Sequence, residues 1–210
     1  MLNLTIKIAM MAGLTFLFVS SPLHAQNQTA QDNVTTPEAM DETTITGKFE
    51  LIDHIGKLTR DKDFRGQYLL VFLGYTYCPD VCPTDLQSMA DTLDLMGDKA
   101  DRIQPIFITV DPERDTPPVL AEFVSNFHPR LIGLTGTPKQ ARDAAQAFGA
   151  KYHKVFASPN SEENQDGDEF YLINHSAATY LIGPDGDYLG YFAHGSHAQG
   201  MAEELLQVIK

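Results

Sequence analysis

The chain is expected to fold as an α/β domain around a mixed sheet, and three observations predict this. Residues 67–73 and 103–110 are nearly continuous apolar runs, the mark of strands buried on both faces. Segments 83–96 and 116–127 between and after them carry their apolar residues at helical spacing. Two further apolar runs, 178–182 and 188–192, bracket Gly183-Pro184-Asp185-Gly186, a hairpin turn.

Taken in order, residues 48–52 and 57–59 on either side of Gly56 predict a small N-terminal hairpin. The run 67–73 is the first buried strand. The helix over 83–96 places Leu86, Met89, Ala90, Leu93 and Met96 on one face and closes at Gly97. Periodicity makes its methionines core residues, with Met89 a spare thioether to locate. After the strand 103–110, Thr116-Pro117 opens a helix carrying Leu120, Phe123, Val124 and Phe127. A short strand follows at 131–134. Thr137-Pro138-Lys139-Gln140 has the form of a capping box and starts a helix ending near Phe148-Gly149. Residues 152–156 and 170–173 are positioned to pair around the acidic loop 158–169, and 199–209 form a last helix. Strands alternating with helices, then a late hairpin and a terminal helix, make a thioredoxin-like order. No internal repeat and no second domain is visible.

The two cysteines of the chain both fall in Tyr77-Cys78-Pro79-Asp80-Val81-Cys82-Pro83. Each precedes a proline, and a residue before proline is pushed away from the helical region. Pro83 suits the first helical position, which would put Cys82 at the N-cap, facing unpaired N–H groups and the positive end of the helix dipole. Both favour thiolate over thiol. A purely structural disulfide here would close a very small loop and remove little chain entropy. Two sulfurs sharing a metal at about 2.3 Å each lie about 3.7 Å apart, whereas a disulfide needs about 2.05 Å. A three-residue, proline-constrained spacer can move between those separations, which would couple metal binding to thiol oxidation.

The first 25 residues have the form of a targeting segment. Lys7 precedes an uncharged, mostly apolar run at 8–19, and Ser20-Ser21-Pro22-Leu23-His24-Ala25 ends it with small residues and a cleavage point after Ala25. A membrane span needs about 20 residues. The run alone is shorter, which favours cleavage, while counting back to Leu2 leaves an uncleaved inner-membrane anchor open. In both readings residues 26 onward are exported. Residues 26–44 are polar and aperiodic and read as a linker, with the folded domain over 45–210. Removing the segment takes one lysine and no acid, leaving 14 basic and 28 acidic side chains, formally −14. That charge argues against nucleic acid and against anionic lipid, so membrane contact is confined to the N-terminal segment if it is uncleaved.

Three blocks carry a specific resemblance. Phe64-Arg65-Gly66 through Val71-Phe72 and Tyr75-Thr76-Tyr77-Cys78-Pro79-Asp80-Val81-Cys82-Pro83 form the first. Val110-Asp111-Pro112-Glu113-Arg114-Asp115-Thr116-Pro117 is the second. Asn174-His175-Ser176, followed by Tyr180-Leu181-Ile182-Gly183-Pro184-Asp185-Gly186, is the third. In this order they closely resemble the Sco/SenC/PrrC family across about residues 47–191. The resemblance implies a thioredoxin fold adapted to hold one copper ion, as Cu(I) and Cu(II), for assembly of the binuclear copper centre of cytochrome c oxidase. It implies a periplasmic location, often with an inner-membrane tether. The partners it implies are the copper-centre subunit of that oxidase, other periplasmic copper chaperones and thiol reductants. Carried across, the ligands are Cys78, Cys82 and His175, with Cys78 and Cys82 also the redox-active pair. The family usually has Asp before that histidine and this chain has Asn174, an uncharged neighbour in place of one that would raise imidazole basicity. Asp111, just past a buried strand, is the other candidate to support the ligands from behind.

The donor chemistry agrees. Two thiolates and an imidazole make a soft, low-coordinate set suited to Cu(I), and Cys/His sites also accommodate Cu(II), whereas structural zinc wants a fourth protein ligand. His194 and His197, spaced H-x2-H with glycine between, read as a solvated loop rather than an auxiliary metal site. Tyr75 and Tyr77 read as packing residues. The rival function is a thiol–disulfide oxidoreductase that keeps copper-site cysteines of partner proteins reduced. Against it stand a three-residue spacer rather than two, and a segment 174–179 without the proline that thioredoxin-like enzymes usually present to substrate. A peroxiredoxin-type peroxidase shares the fold, but Thr76-Tyr77-Cys78-Pro79 matches its motif only weakly.

Overall fold

The computed structural model describes residues 45–156 and 170–209. The targeting segment, the linker 26–44 and the acidic loop 158–169 lie outside the described residues.

Continuous apolar sequence becomes the centre of the sheet. Strand β3 (Tyr68–Gly74) is buried at every position. It pairs in parallel with β4 (Ile103–Thr109), which pairs in parallel with β5 (Ile132–Thr135). The N-terminal hairpin forms as β1 (Glu50–Asp53) and β2 (Leu58–Arg60), and β1 adds to β5 antiparallel. On the other side β3 takes β8 (Ala178–Ile182) antiparallel, and β8 takes β9 (Tyr188–Ala193) through the predicted turn. The result is a seven-stranded mixed sheet in the order β2-β1-β5-β4-β3-β8-β9. Strands β6 (Tyr152–Phe156) and β7 (Tyr171–His175) pair antiparallel and form a second, two-stranded sheet of their own.

Among the described residues four α-helices flank the main sheet: α1 (Val81–Met96), α2 (Pro117–Val124), α3 (Pro138–Ala147) and α4 (Ala198–Val208). Helix α3 carries the capping box, with the Gln140 N–H donating to Thr137 Oγ1. Helices α1 and α4 pack on each other. The mixed sheet with flanking helices is the thioredoxin-like architecture expected. Among the described residues no helix is long and apolar enough to cross a membrane.

Two elements depart from expectation. Helix α2 stops at Val124, and Phe127 follows in a turn closed by its N–H to the Val124 carbonyl, still packed against the core. Helix α1 begins at Val81, so Asp80 rather than Cys82 is its N-cap. The physical reason is that the first N–H groups of a helix have no partner within it. A proline in the third position therefore costs no hydrogen bond, and the bias on the residue before it is overridden.

The helix start is set by a close approach. A Cβ built on Gly74, the last residue of β3, would lie 2.6 Å from Cys82 Sγ, 2.9 Å from Phe72 and 3.1 Å from Phe107. All three neighbours are fully buried, so none has room to yield. Gly74→Ala is expected to destabilise the domain by about 1–3 kcal/mol, the usual cost of overpacking. Urea unfolding of wild type and variant measures it, and coincident transitions would refute the packing argument.

Candidate metal centre

The C-terminal end of β3 and the first turn of α1 present the two cysteines unequally. Cys78 lies in the loop before the helix and is partly exposed, whereas Cys82 in the first turn is 0% exposed. The Cys82 backbone N–H donates to Cys78 Sγ at 3.4 Å. The helix terminus therefore serves the sulfur of Cys78, not that of Cys82 as the N-cap expectation had it. Both cysteines are free thiols.

His175 comes from the end of β7. Its Nδ1 lies 3.1 Å from the Ser176 carbonyl oxygen, an acceptor, so the ring proton sits on Nδ1. Nε2 is left with its lone pair, 3.4 Å from Cys82 Sγ. The ring stands edge-on to Phe72 and Tyr75, at 6.1 and 5.9 Å between centroids. Tyr75 is further fixed because its hydroxyl accepts the Ile173 N–H at 3.2 Å. Among the described residues, Cys78, Cys82 and His175 form the one group of three or more such side chains whose ligand atoms cluster, all within 4.8 Å of one another. Donors about 2.3 Å from a shared ion stand about 4 Å apart in trigonal geometry, so a small contraction brings this set onto a metal.

The electrostatics separate the two sulfurs. The hydrogen bond from Cys82 holds the Cys78 thiol well below the ordinary thiol range, against the opposing effect of its burial. Cys82 moves the other way, because it donates to the neighbouring Cys78 sulfur and because it is buried. Ionisation is thus favoured at Cys78 and disfavoured at Cys82.

The supporting residues were only partly foreseen. Asp111 is buried and reaches neither sulfur by a hydrogen bond; it pairs with Arg114 and accepts the Tyr171 hydroxyl proton at 2.8 Å, on the strand that ends at His175. Asn174 is exposed and stands in register with His153, while the imidazole Nδ1 is held by the Ser176 carbonyl. Tyr75 packs as expected, but Tyr77 is 59% exposed, beside the Arg114 guanidinium. Met89 is a core residue. His194 is no bystander of solvent: its Nδ1 lies 2.9 Å from the buried Asp85 carboxylate, and His197 precedes α4.

Sequence reasoning missed Asp115 and Asp85. Asp115 is wholly buried and ties the Cys78 loop to β4, accepting from the Thr76 hydroxyl at 2.6 Å, the Thr76 N–H at 3.0 Å and the Thr109 hydroxyl at 2.5 Å. Burial pushes its carboxyl upward, opposed by those bonds. Asp85 did leave a signal. It sits three residues after Cys82 and four before Met89, on the buried stripe of α1, where a carboxylate breaks the apolar period.

Comparison with known proteins follows the same lines. A family model described as SCO1/SenC matches residues 37–210. The chain is 35% identical over 204 residues to a SCO2-like protein of Rickettsia conorii, covering 97% of this chain and 95% of that one. It is 40% identical over 164 residues to the mitochondrial SCO1 homolog of Homo sapiens, covering 77% of this chain and 52% of the human protein, so it spans about half of that relative's length. Its structure is similar to that of Bradyrhizobium japonicum ScoI with copper bound, at 36% identity and a TM-score of 0.67, covering 78% of this chain and 98% of that one.

The unequal sulfurs make a direct prediction. Alkylation of the reduced protein at neutral pH should modify Cys78 first, because it is partly exposed and the more readily ionised of the two, and thiolate is the nucleophilic form. Cys82 should react only on unfolding. Mass spectrometry of peptides from a time course reads this, and equal rates at both positions would contradict the assigned asymmetry.

Proposed function

This chain belongs to the SCO1/SenC family, and from that premise we propose that it is an exported copper metallochaperone serving assembly of the copper centre of cytochrome c oxidase. The observation that carries the reading is the convergence of two sulfurs and one lone-pair nitrogen within 4.8 Å, with the second imidazole nitrogen already engaged. The set is soft, has three donors and matches Cu(I); the imidazole also makes Cu(II) tolerable. Both sulfurs bind as thiolates, so loading releases the protons they carry, and Cys78 is the readier of the two to ionise. His175 is the donor that leaves most readily, since it is neutral when bound and can be protonated. The site of action is the periplasmic face of the inner membrane, a reading supported by Lys7, the apolar run 8–19 and the polar linker that follows. Residues 45–210 form the working domain, and its partner is the oxidase subunit that receives the copper, with other periplasmic copper chaperones and thiol reductants upstream.

The lowered Cys78 thiol favours a second reading, reduction of disulfides in copper-site partners. There Cys78 thiolate would attack a partner disulfide, and Cys82 would then displace the mixed disulfide, leaving the Cys78–Cys82 disulfide and a reduced partner. That chemistry has no need of an imidazole on a separate strand.

The reduced domain is expected to bind one copper ion through sulfur and nitrogen donors and to bind zinc much more weakly, measured by elemental analysis with X-ray absorption. Copper retained by Cys78→Ser with Cys82→Ser would sink the assignment. In His175→Ala, oxidase copper-centre assembly in cells should fail while disulfide exchange by the purified protein continues. Assembly that survives His175→Ala but is lost with either cysteine would favour the reductase.

A further inference from the structure

His175 ends β7 of the small sheet, whereas the two cysteines lie in the loop after β3 and the first turn of α1, and Arg114 is a side chain that spans the two. Arg114, in the loop after β4, pairs through Nε with the buried Asp111 carboxylate and donates through Nη1 to the Tyr171 carbonyl at 3.1 Å. Its guanidinium carbon lies 3.7 Å from the Tyr171 ring centroid, 4.7 Å from that of Tyr77 and 5.8 Å from that of Tyr75. Tyr171 opens β7, the strand that His175 ends, and its hydroxyl bonds the same Asp111. Tyr75 and Tyr77 belong to the loop that delivers Cys78. Three segments thus meet on one planar cation: the loop after β4, the cysteine loop and the histidine strand.

We propose that Arg114 is a positioning residue for His175: clasped by Asp111, it holds β7 against the cysteine loop so that the imidazole Nε2 stands over the two sulfurs. The inference rests on the copper reading only for its consequence, since the placement itself exists without metal. A guanidinium suits the task because it donates in a fixed plane on two sides while stacking on aromatic faces; an ammonium is a point charge with neither geometry. Without the clasp, the two thiolates still hold Cu(I), but the third donor is lost and Cu(II) is left poorly ligated.

The test uses Arg114→Met and Arg114→Lys, with Asp111→Asn removing the clasp from its other side. Its first readout needs no metal. In the reduced apo protein the His175 ring protons are shifted by the edge-on Phe72 and Tyr75 rings, and NMR should show those shifts collapse towards free-histidine values in both Arg114 variants. The second readout is the Cu(II)-loaded protein, whose electron paramagnetic resonance should lose nitrogen splitting. Cu(II) affinity should fall about 10–100-fold, the usual effect of removing an outer partner of a ligand, while Cu(I) affinity changes little. Because lysine keeps the charge, its failure to rescue separates the planar clasp from simple electrostatics. Folding is checked by circular dichroism; if the Arg114 variants do not fold, the same two readouts on Asp111→Asn decide. Unchanged ring shifts in a folded variant overturn the proposal. A wild-type protein that takes up no copper defeats the copper reading instead, and leaves the ring-shift result standing.

Discussion

The contact between the Cys82 sulfur and the backbone of Gly74 is the constraint on which the site depends. A side chain at position 74 would occupy the space the sulfur fills. Its absence lets the first turn of α1 descend onto the end of β3, and that descent fixes the remaining features. Cys82 becomes a core atom as much as a ligand, its N–H is turned towards Cys78, and Phe72 and Tyr75 are left to wall the imidazole. Close packing of this kind is unforgiving, because interiors have the density of crystals and shift only at a cost.

The asymmetry of the pair follows from placement rather than from residue type. Two identical thiols three residues apart differ because one lies outside the helix and receives its terminal N–H, while the other lies inside and faces the core. The neighbouring sulfur and burial disfavour ionisation of the inner thiol, whereas the hydrogen bond from Cys82 favours it at the outer sulfur. Asp115, tied to Thr76 and Thr109, holds the loop in the position that this division requires.

What the sequence revealed was what local physics decides. The run 67–73 announced a buried strand by composition alone, and Thr137 with Gln140 announced a helix start by the form of a capping box. The cysteines and His175 were legible through their spacing and the blocks around them. The start of α1 was misplaced by two residues, because a proline near a helix end is compatible with more than one position. Arg114 and Tyr171 were opaque for a different reason. They are 57 residues apart in sequence, and nothing local to either tells that a cation and an aromatic ring will meet. Asp85 and His194, 109 apart, posed the same difficulty, although the break in the apolar stripe marked Asp85 as a residue needing a partner.

The histidine strand belongs to a two-stranded sheet that shares no ladder with the seven-stranded one. A hairpin of that size is marginal on its own and owes its place to side-chain contacts. Proteins open locally at free energies well below that of global unfolding, and here a strand with a single ladder partner carries one donor while the segment that follows the central strand β3 carries two. Residence time of a bound ion and lifetime of the fold are therefore separate quantities. Strengthening the central sheet would prolong the second and leave the first to the hairpin. Such a division lets one part of the molecule yield without loosening the rest.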